Sequence, residues 1–144
     1  MVQHALVLVV RDAVEKAGHR APGTIKCYAQ DPRYVPLDEQ LLGQAGITVL
    51  DDPRAWLQVD EGSVVVGICP TIAFEDIIAD IARPVAMVMQ DPSTGRPISP
   101  RTEAMLTDEY VKLDFDEHEE FTWGVVFVKK AAMRQVDQPR HTPN

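Results

Sequence analysis

The stretch SVVVGICPTIAFEDIIADIARPVAMVMQDP, residues 63–92, decides the fold. Val64 to Cys69 is a continuous, largely β-branched run, the mark of a strand buried on both faces. Pro70 breaks it. Thr71 then offers an N-cap hydroxyl to a helix over Ile72–Ile81, where Phe74, Ile77, Ile78 and Ile81 form one apolar stripe. Pro84 to Met89 is a second buried strand, closed by Gln90-Asp91-Pro92. Strand, helix and strand in this order make a βαβ unit with parallel strands.

Working outward, the same rhythm appears upstream. Ile25–Ala29 reads as a strand ended by Gln30-Asp31-Pro32. Leu37 to Ala45 carries Leu37, Leu41, Leu42 and Ala45 at helical spacing, with Gly46 at the C′ position. Ile47–Leu50 is the next strand, ended by Asp51-Asp52-Pro53, and a helical turn over Arg54–Leu57 follows. His4–Val10 has strand-like content, but Leu6, Val9, Val10, Ala13 and Ala17 at spacings of three and four favour a helix that runs to Gly18. Downstream, Asp91–Pro100 holds three of the 11 prolines and reads as an irregular loop. Ser99-Pro100-Arg101 opens a helix to about Leu106, with Pro100 at a tolerated N1 position. Gly124–Lys130 is a last strand, expected at an exposed edge (Val125 to Val128) that Lys129 and Lys130 guard. Met133–Asn144 reads as a frayed polar tail. The expected fold is a three-layer, Rossmann-like α/β sandwich with four or five mostly parallel strands. It forms one domain over residues 1–130, followed by a flexible segment, 131–144.

Composition narrows the partners. The chain has 144 residues, 14 basic against 22 acidic, for a net charge of −8. That balance disfavours nucleic acid and anionic membranes. The apolar run Ala5–Val10 is too short for a membrane span and lacks a basic residue before it, so neither a signal peptide nor a membrane segment is expected. Cys27 and Cys69 stand 42 positions apart without a CxxC pair, which fits neither a zinc site nor a disulfide framework and suits a reducing cytoplasmic or nuclear setting.

Open parallel sheets bind ligands at the carboxyl ends of their strands. The polar groups expected there are Asp31-Pro32, Cys69-Pro70-Thr71 and Asp91-Pro92. An acidic residue closing an early strand suits a ribose hydroxyl, while Asp-Pro equally caps a strand and starts a turn. No GxGxxG or GxxxxGK[ST] cradle occurs, which weighs against a nucleotide enzyme. Cys69 before a helix start has the setting of an activated thiol, yet no histidine stands at a strand end to serve as its base, so a buried-strand role is expected instead. The acidic run Asp114–Glu120 with His118 lacks the spacing of an EF-hand or of HExxH and reads as a solvated turn. No catalytic set and no metal site is expected.

Several of these segments resemble one family. Tyr28-Ala29-Gln30-Asp31-Pro32, then Asp38 with Leu41-Leu42, then Gly46-Ile47-Thr48-Val49-Leu50, are similar to the signature of the Sensitivity-to-Red-light-Reduced-like (SRR-like) domain. Cys69-Pro70-Thr71 falls where that family shows a Pro-centred turn, often Pro-His, so Thr71 departs from its pattern. Gln3-His4-Ala5-Leu6 resembles a helical segment of the family, whose opening strand would precede it. On that alignment the chain is an N-terminally shortened member. The stretch from Pro100-Arg101 to Phe121-Thr122-Trp123-Gly124 is similar to the divergent fungal branch. The resemblance implies a non-catalytic regulatory protein of light-signalling or circadian type, acting through a protein partner, with no cofactor and as monomer or dimer. The alternative is a domain of methyltransferase-like ancestry that binds S-adenosylmethionine or NAD, with Asp31, Pro32, Cys69, Pro70 and Thr71 lining the site.

Overall fold

The computed structural model describes residues 2–18, 20–68, 72–94, 97–114 and 124–136. The chain divides into two compact units, Met1–Gln58 and Val59–Asn144.

The first unit holds helix α1 (Val2–Lys16), strand β1 (Cys27–Ala29), helix α2 (Pro36–Gln44), strand β2 (Ile47–Val49) and a 3-10 turn at Trp56–Gln58. β1 and β2 pair in parallel, Cys27 beside Ile47 and Ala29 beside Val49, with α2 as the crossover. Local chemistry fixes both ends of α2. Pro36 sits at its start, where the fixed φ suits a helix and the missing N–H costs nothing. The Asp38 carboxylate accepts the Val35 N–H at 3.0 Å, and Gly46 closes the helix with φ of +80°. Cys27, Leu42 and Ile47 form the core, packed by Val7, Leu8, Ile25, Ala29, Tyr34 and Val49. The expected helix α1 is present. The apolar stripe read on α2 turns inward only through Leu42, because Leu37 and Leu41 are 62% and 44% exposed. Two strands of three residues give the helix a narrow strip to cover, and one leucine fills it.

The second unit holds β3 (Val64–Gly67), α3 (Phe74–Ile81), β4 (Ala86–Gln90), α4 (Pro100–Glu109), β5 (Tyr110–Asp114), β6 (Gly124–Lys129) and α5 (Lys130–Val136). Its strands run in the order β3-β4-β6-β5. β3 and β4 are parallel, as the βαβ pattern requires, whereas β6 is antiparallel to both β4 and β5. The protein is therefore α/β with a two-stranded parallel sheet and a mixed, mostly antiparallel four-stranded sheet, not a mostly parallel Rossmann-like sandwich. The departure starts after α4. That helix runs straight into β5, and β6, the next described strand, pairs antiparallel with both β5 and β4. β5 escaped the sequence reading because its alternation, Val111 and Leu113 against Lys112 and Asp114, is short and follows α4 directly, with no turn residue to mark where the strand begins.

Three further expectations change with it. β6 lies between two strands rather than at an edge. Lys129 at its end and Lys130 at the start of α5 tie the unit together: Lys129 Nζ donates to the Arg83 carbonyl at 3.3 Å, and Lys130 Nζ to those of Thr107 and Asp108 at 2.9 and 3.1 Å. The latter two bonds place a cation at the carboxyl end of α4, where it is favourable. β3 is an edge strand with Val64 exposed, not a strand buried on both faces. Residues 133–136, read as part of a frayed tail, belong to α5.

The register puts Met87 and Met89 of β4, Val125 and Phe127 of β6 and Tyr110 of β5 on one face of the sheet, all buried. Phe74 and Ile78 of α3 and Met105 and Leu106 of α4 are buried with them. α4 is capped as the sequence suggests, Ser99 Oγ accepting the Thr102 N–H at 3.3 Å. α3 begins at Phe74 with Ala73 in the cap position, and Thr71, the expected cap, lies outside the described residues.

Candidate functional site

In the first unit the carboxyl ends of β1 and β2 carry Gln30-Asp31 and Leu50-Asp51-Asp52. Gln30 bridges them: its Nε2 donates to Asp52 Oδ1 at 2.7 Å, and its Oε1 accepts the Ala55 N–H at 3.0 Å. Asp31 Oδ1 accepts the Arg33 N–H at 2.9 Å, an Asx turn that steers the chain over Pro32, and both Asp31 and Pro32 are exposed. Behind this turn stands a pair that sequence reasoning missed. His4 Nε2 and the Tyr34 hydroxyl share a hydrogen bond of 2.6 Å, with ring centroids 5.8 Å apart. Burial pushes the His4 pKa down against the opposing pull of Asp31 and Asp38, and pushes that of Tyr34 up with help from the same two carboxylates. At neutral pH both rings are uncharged, and His4 Nδ1 is buried without a hydrogen-bond partner among the described residues. The only signal in the sequence would have been a histidine on the inner side of α1 and a tyrosine just past a strand end, which is no recognisable motif.

In the second unit the carboxyl end of β4 presents Asp91. Its carboxylate accepts the Ser93 N–H at 2.9 Å and the Lys112 ammonium at 2.6 Å. Burial opposes ionisation there, but these donors outweigh it and hold the Asp91 pKa below the ordinary value. Between α3 and α4, Asp76 Oδ1 collects the Ser99 hydroxyl at 2.6 Å, the Thr102 hydroxyl at 2.5 Å and the Ser99 N–H at 3.3 Å. These hydrogen bonds lower its pKa against a smaller effect of burial. Asp76 and its two hydroxyls have the composition of a nucleophile set, but no base joins them and Thr102 is wholly buried. The network is a helix cap that ties α3 to α4.

Of the residues expected to line a ligand site, Asp31 and Pro32 stand together at the end of β1, whereas Cys69, Pro70 and Thr71 lie outside the described residues. The acidic run Asp114–Glu120 is described only at Asp114. Burial raises the Cys27 pKa, which leaves that thiol protonated and inert. Among the described residues no group of three or more His, Cys, Asp or Glu side chains is placed to hold a metal ion, and no helix is long and apolar enough to cross a membrane. The exposed surface of the first unit carries Val35, Leu37 and Leu41, large apolar side chains of which helical periodicity had placed Leu37 and Leu41 on the inner stripe of α2.

No curated protein matches the chain. A family model described as the SRR1 domain matches residues 1–94, well over half of the sequence and inclusive of both βαβ units, the Asp31 turn and the Cys69-Pro70-Thr71 segment. The chain belongs to the SRR1 domain family.

Proposed function

We propose that this chain is a non-catalytic regulatory protein that acts in the cytoplasm or nucleus by binding a protein partner. One observation carries the reading beyond family membership: three carboxylates at the described strand ends, those of Asp31, Asp52 and Asp91, are engaged by donors of their own chain. Asp31 holds the Arg33 N–H, Asp52 the Gln30 amide, and Asp91 both Ser93 and Lys112. Groups held this way shape turns and surfaces; they are not aimed at a reacting atom. The apolar side chains Val35, Leu37 and Leu41 supply a surface of the kind that protein partners cover.

A second reading rests on Asp31, which is exposed at the carboxyl end of a parallel strand, the position that meets a ribose in nucleotide-binding sheets. In that reading S-adenosylmethionine or NAD binds with Asp31 on the ribose and Cys69 to Thr71 at its side. Native mass spectrometry of the full chain, with thermal shifts in each cofactor, separates the two. Micromolar binding is about 8 kcal/mol and gives an evident shift at saturating ligand. The regulatory reading expects no adduct and no shift. A nucleotide-sized adduct that disappears in Asp31→Ala overturns it.

A further inference from the structure

Among the described residues β5 pairs with β6 alone, so its other edge is open. That strand reads Tyr110-Val111-Lys112-Leu113-Asp114. Lys112 and Asp114 alternate onto one face, and Leu113, which is 42% exposed, lies on the other beside Val111. Edge strands are commonly guarded by charged side chains, lysine above all, and a guard of one sign repels its own copy. β5 carries opposite charges two residues apart with a leucine between them, and that pattern is complementary to itself.

We propose that β5 is a self-association edge: a second copy of this chain pairs its own β5 against it, antiparallel, about a two-fold axis through Leu113. In that register Leu113 meets the second copy's Leu113, and Lys112 stands directly across from the second copy's Asp114. The symmetry repeats the charge pair on the other side. Directly opposed side chains have Cβ atoms about 5 Å apart, within reach of a salt bridge. Asp114, its side chain 82% exposed, makes only a long 3.7 Å ion pair with Lys112 of its own strand, which it exchanges for the lysine of the second copy. Lys112 keeps its 2.6 Å bond to Asp91 and meets the incoming carboxylate with its other protons. In this register Lys112, Leu113 and Asp114 face their counterparts, so backbone pairing over three residues and two ion pairs make a small interface, and the dimer is concentration-dependent rather than obligate.

Sedimentation equilibrium of the full chain tests this, with charge variants that encode the register. The wild-type chain dimerises at roughly 100 micromolar or below, as expected of a small interface. Asp114→Lys sets Lys112 against a second lysine and weakens self-association about tenfold or more. Lys112→Glu sets two carboxylates opposite and does the same. An equimolar mixture of the two variants regains the dimer, because each lysine again meets a carboxylate. A wild-type chain that stays monomeric, an Asp114→Lys chain that dimerises as the wild type does, or a mixture that fails to associate overturns the proposal. If Lys112→Glu does not fold after losing its bond to Asp91, Leu113→Asp replaces it: two aspartates on the axis abolish the dimer, and a dimer that survives them refutes the assignment.

Discussion

Gly67, at the end of β3, tests how tightly the second unit is packed. A Cβ placed there would lie 2.5, 2.6 and 2.7 Å from Cε2, Cζ and Cδ2 of Phe74. Carbon atoms in contact prefer about 3.5–4.0 Å, so the ring must retreat by about 1 Å. It has little room, because Phe74 is 3% exposed. Overpacking of this kind costs about 1–3 kcal/mol. With an m-value of about 1–3 kcal/mol/M in urea, Gly67→Ala lowers the unfolding midpoint by about 1 M. Phe74→Leu relieves the clash while costing about 1 kcal/mol or more of its own through lost packing. The two substitutions therefore couple: the double variant is less destabilised than the sum of the singles by about 1 kcal/mol. Urea unfolding of the four proteins, followed by circular dichroism, reads all these values. A Gly67→Ala midpoint equal to that of the wild type, or strictly additive effects, would refute the packing argument.

Tyr110 donates its buried hydroxyl to the Pro84 carbonyl at 2.8 Å, and burial pushes its pKa up to about 12 from an ordinary 10. Its contribution is complete below pH 10 and lost as pH rises from 10 through 12, so Tyr110→Phe flattens the alkaline limb of the stability curve; an unchanged limb contradicts the burial assigned to the ring. Asp76→Ala removes the acceptor shared by Ser99 and Thr102 and costs about 1–3 kcal/mol at neutral pH. Because the folded-state pKa of Asp76 is lowered, that stability is present above an unfolded value near 3.8 and fades as pH falls through the folded one, so thermal melts of wild type and variant converge in acid. On α2, Leu42→Ala costs about 2 kcal/mol or more, whereas Leu41→Ala changes stability by less than about 0.5 kcal/mol; equal effects would show that the helix faces its sheet through a different register.

How far the sequence discloses this protein depends on the range of the interactions involved. Both βαβ units were readable, since apolar runs punctuated by Asp-Pro, Gly46 and Ser99-Pro100 act within a few residues. The parallel pairing of β1 with β2 and of β3 with β4 followed from the same signals. The sheet order did not. It depends on β5, where Val111 and Leu113 alternate with Lys112 and Asp114 over only four residues and no turn residue separates the strand from α4. One missed strand displaced its neighbour from the centre to the edge and changed a mixed sheet into a parallel one on paper. At the candidate site, the Asp31 turn was visible because an Asx turn is local. The His4–Tyr34 pair was not, because thirty residues separate partners that share no pattern.

The position of β6 bears on how the chain comes to be folded. It is the last strand among the described residues, yet it fills the middle of its sheet, pairing with β4 on one side and β5 on the other. Until residues 124–129 have left the ribosome, β4 has β3 as its only neighbour, and its wholly buried methionines Met87 and Met89 have no completed sheet beside them. Its pairs with β5 join strands adjacent in sequence, but its pairs with β4, from Gln90 beside Gly124 to Ala86 beside Val128, must close a long loop, which favours slow, late assembly of this unit. During that interval the open side of β4 is an adhesive edge, and the nascent chain is at its most prone to aggregate. A fragment cut after residue 94, where the match to the family model ends, would keep that vulnerability permanently.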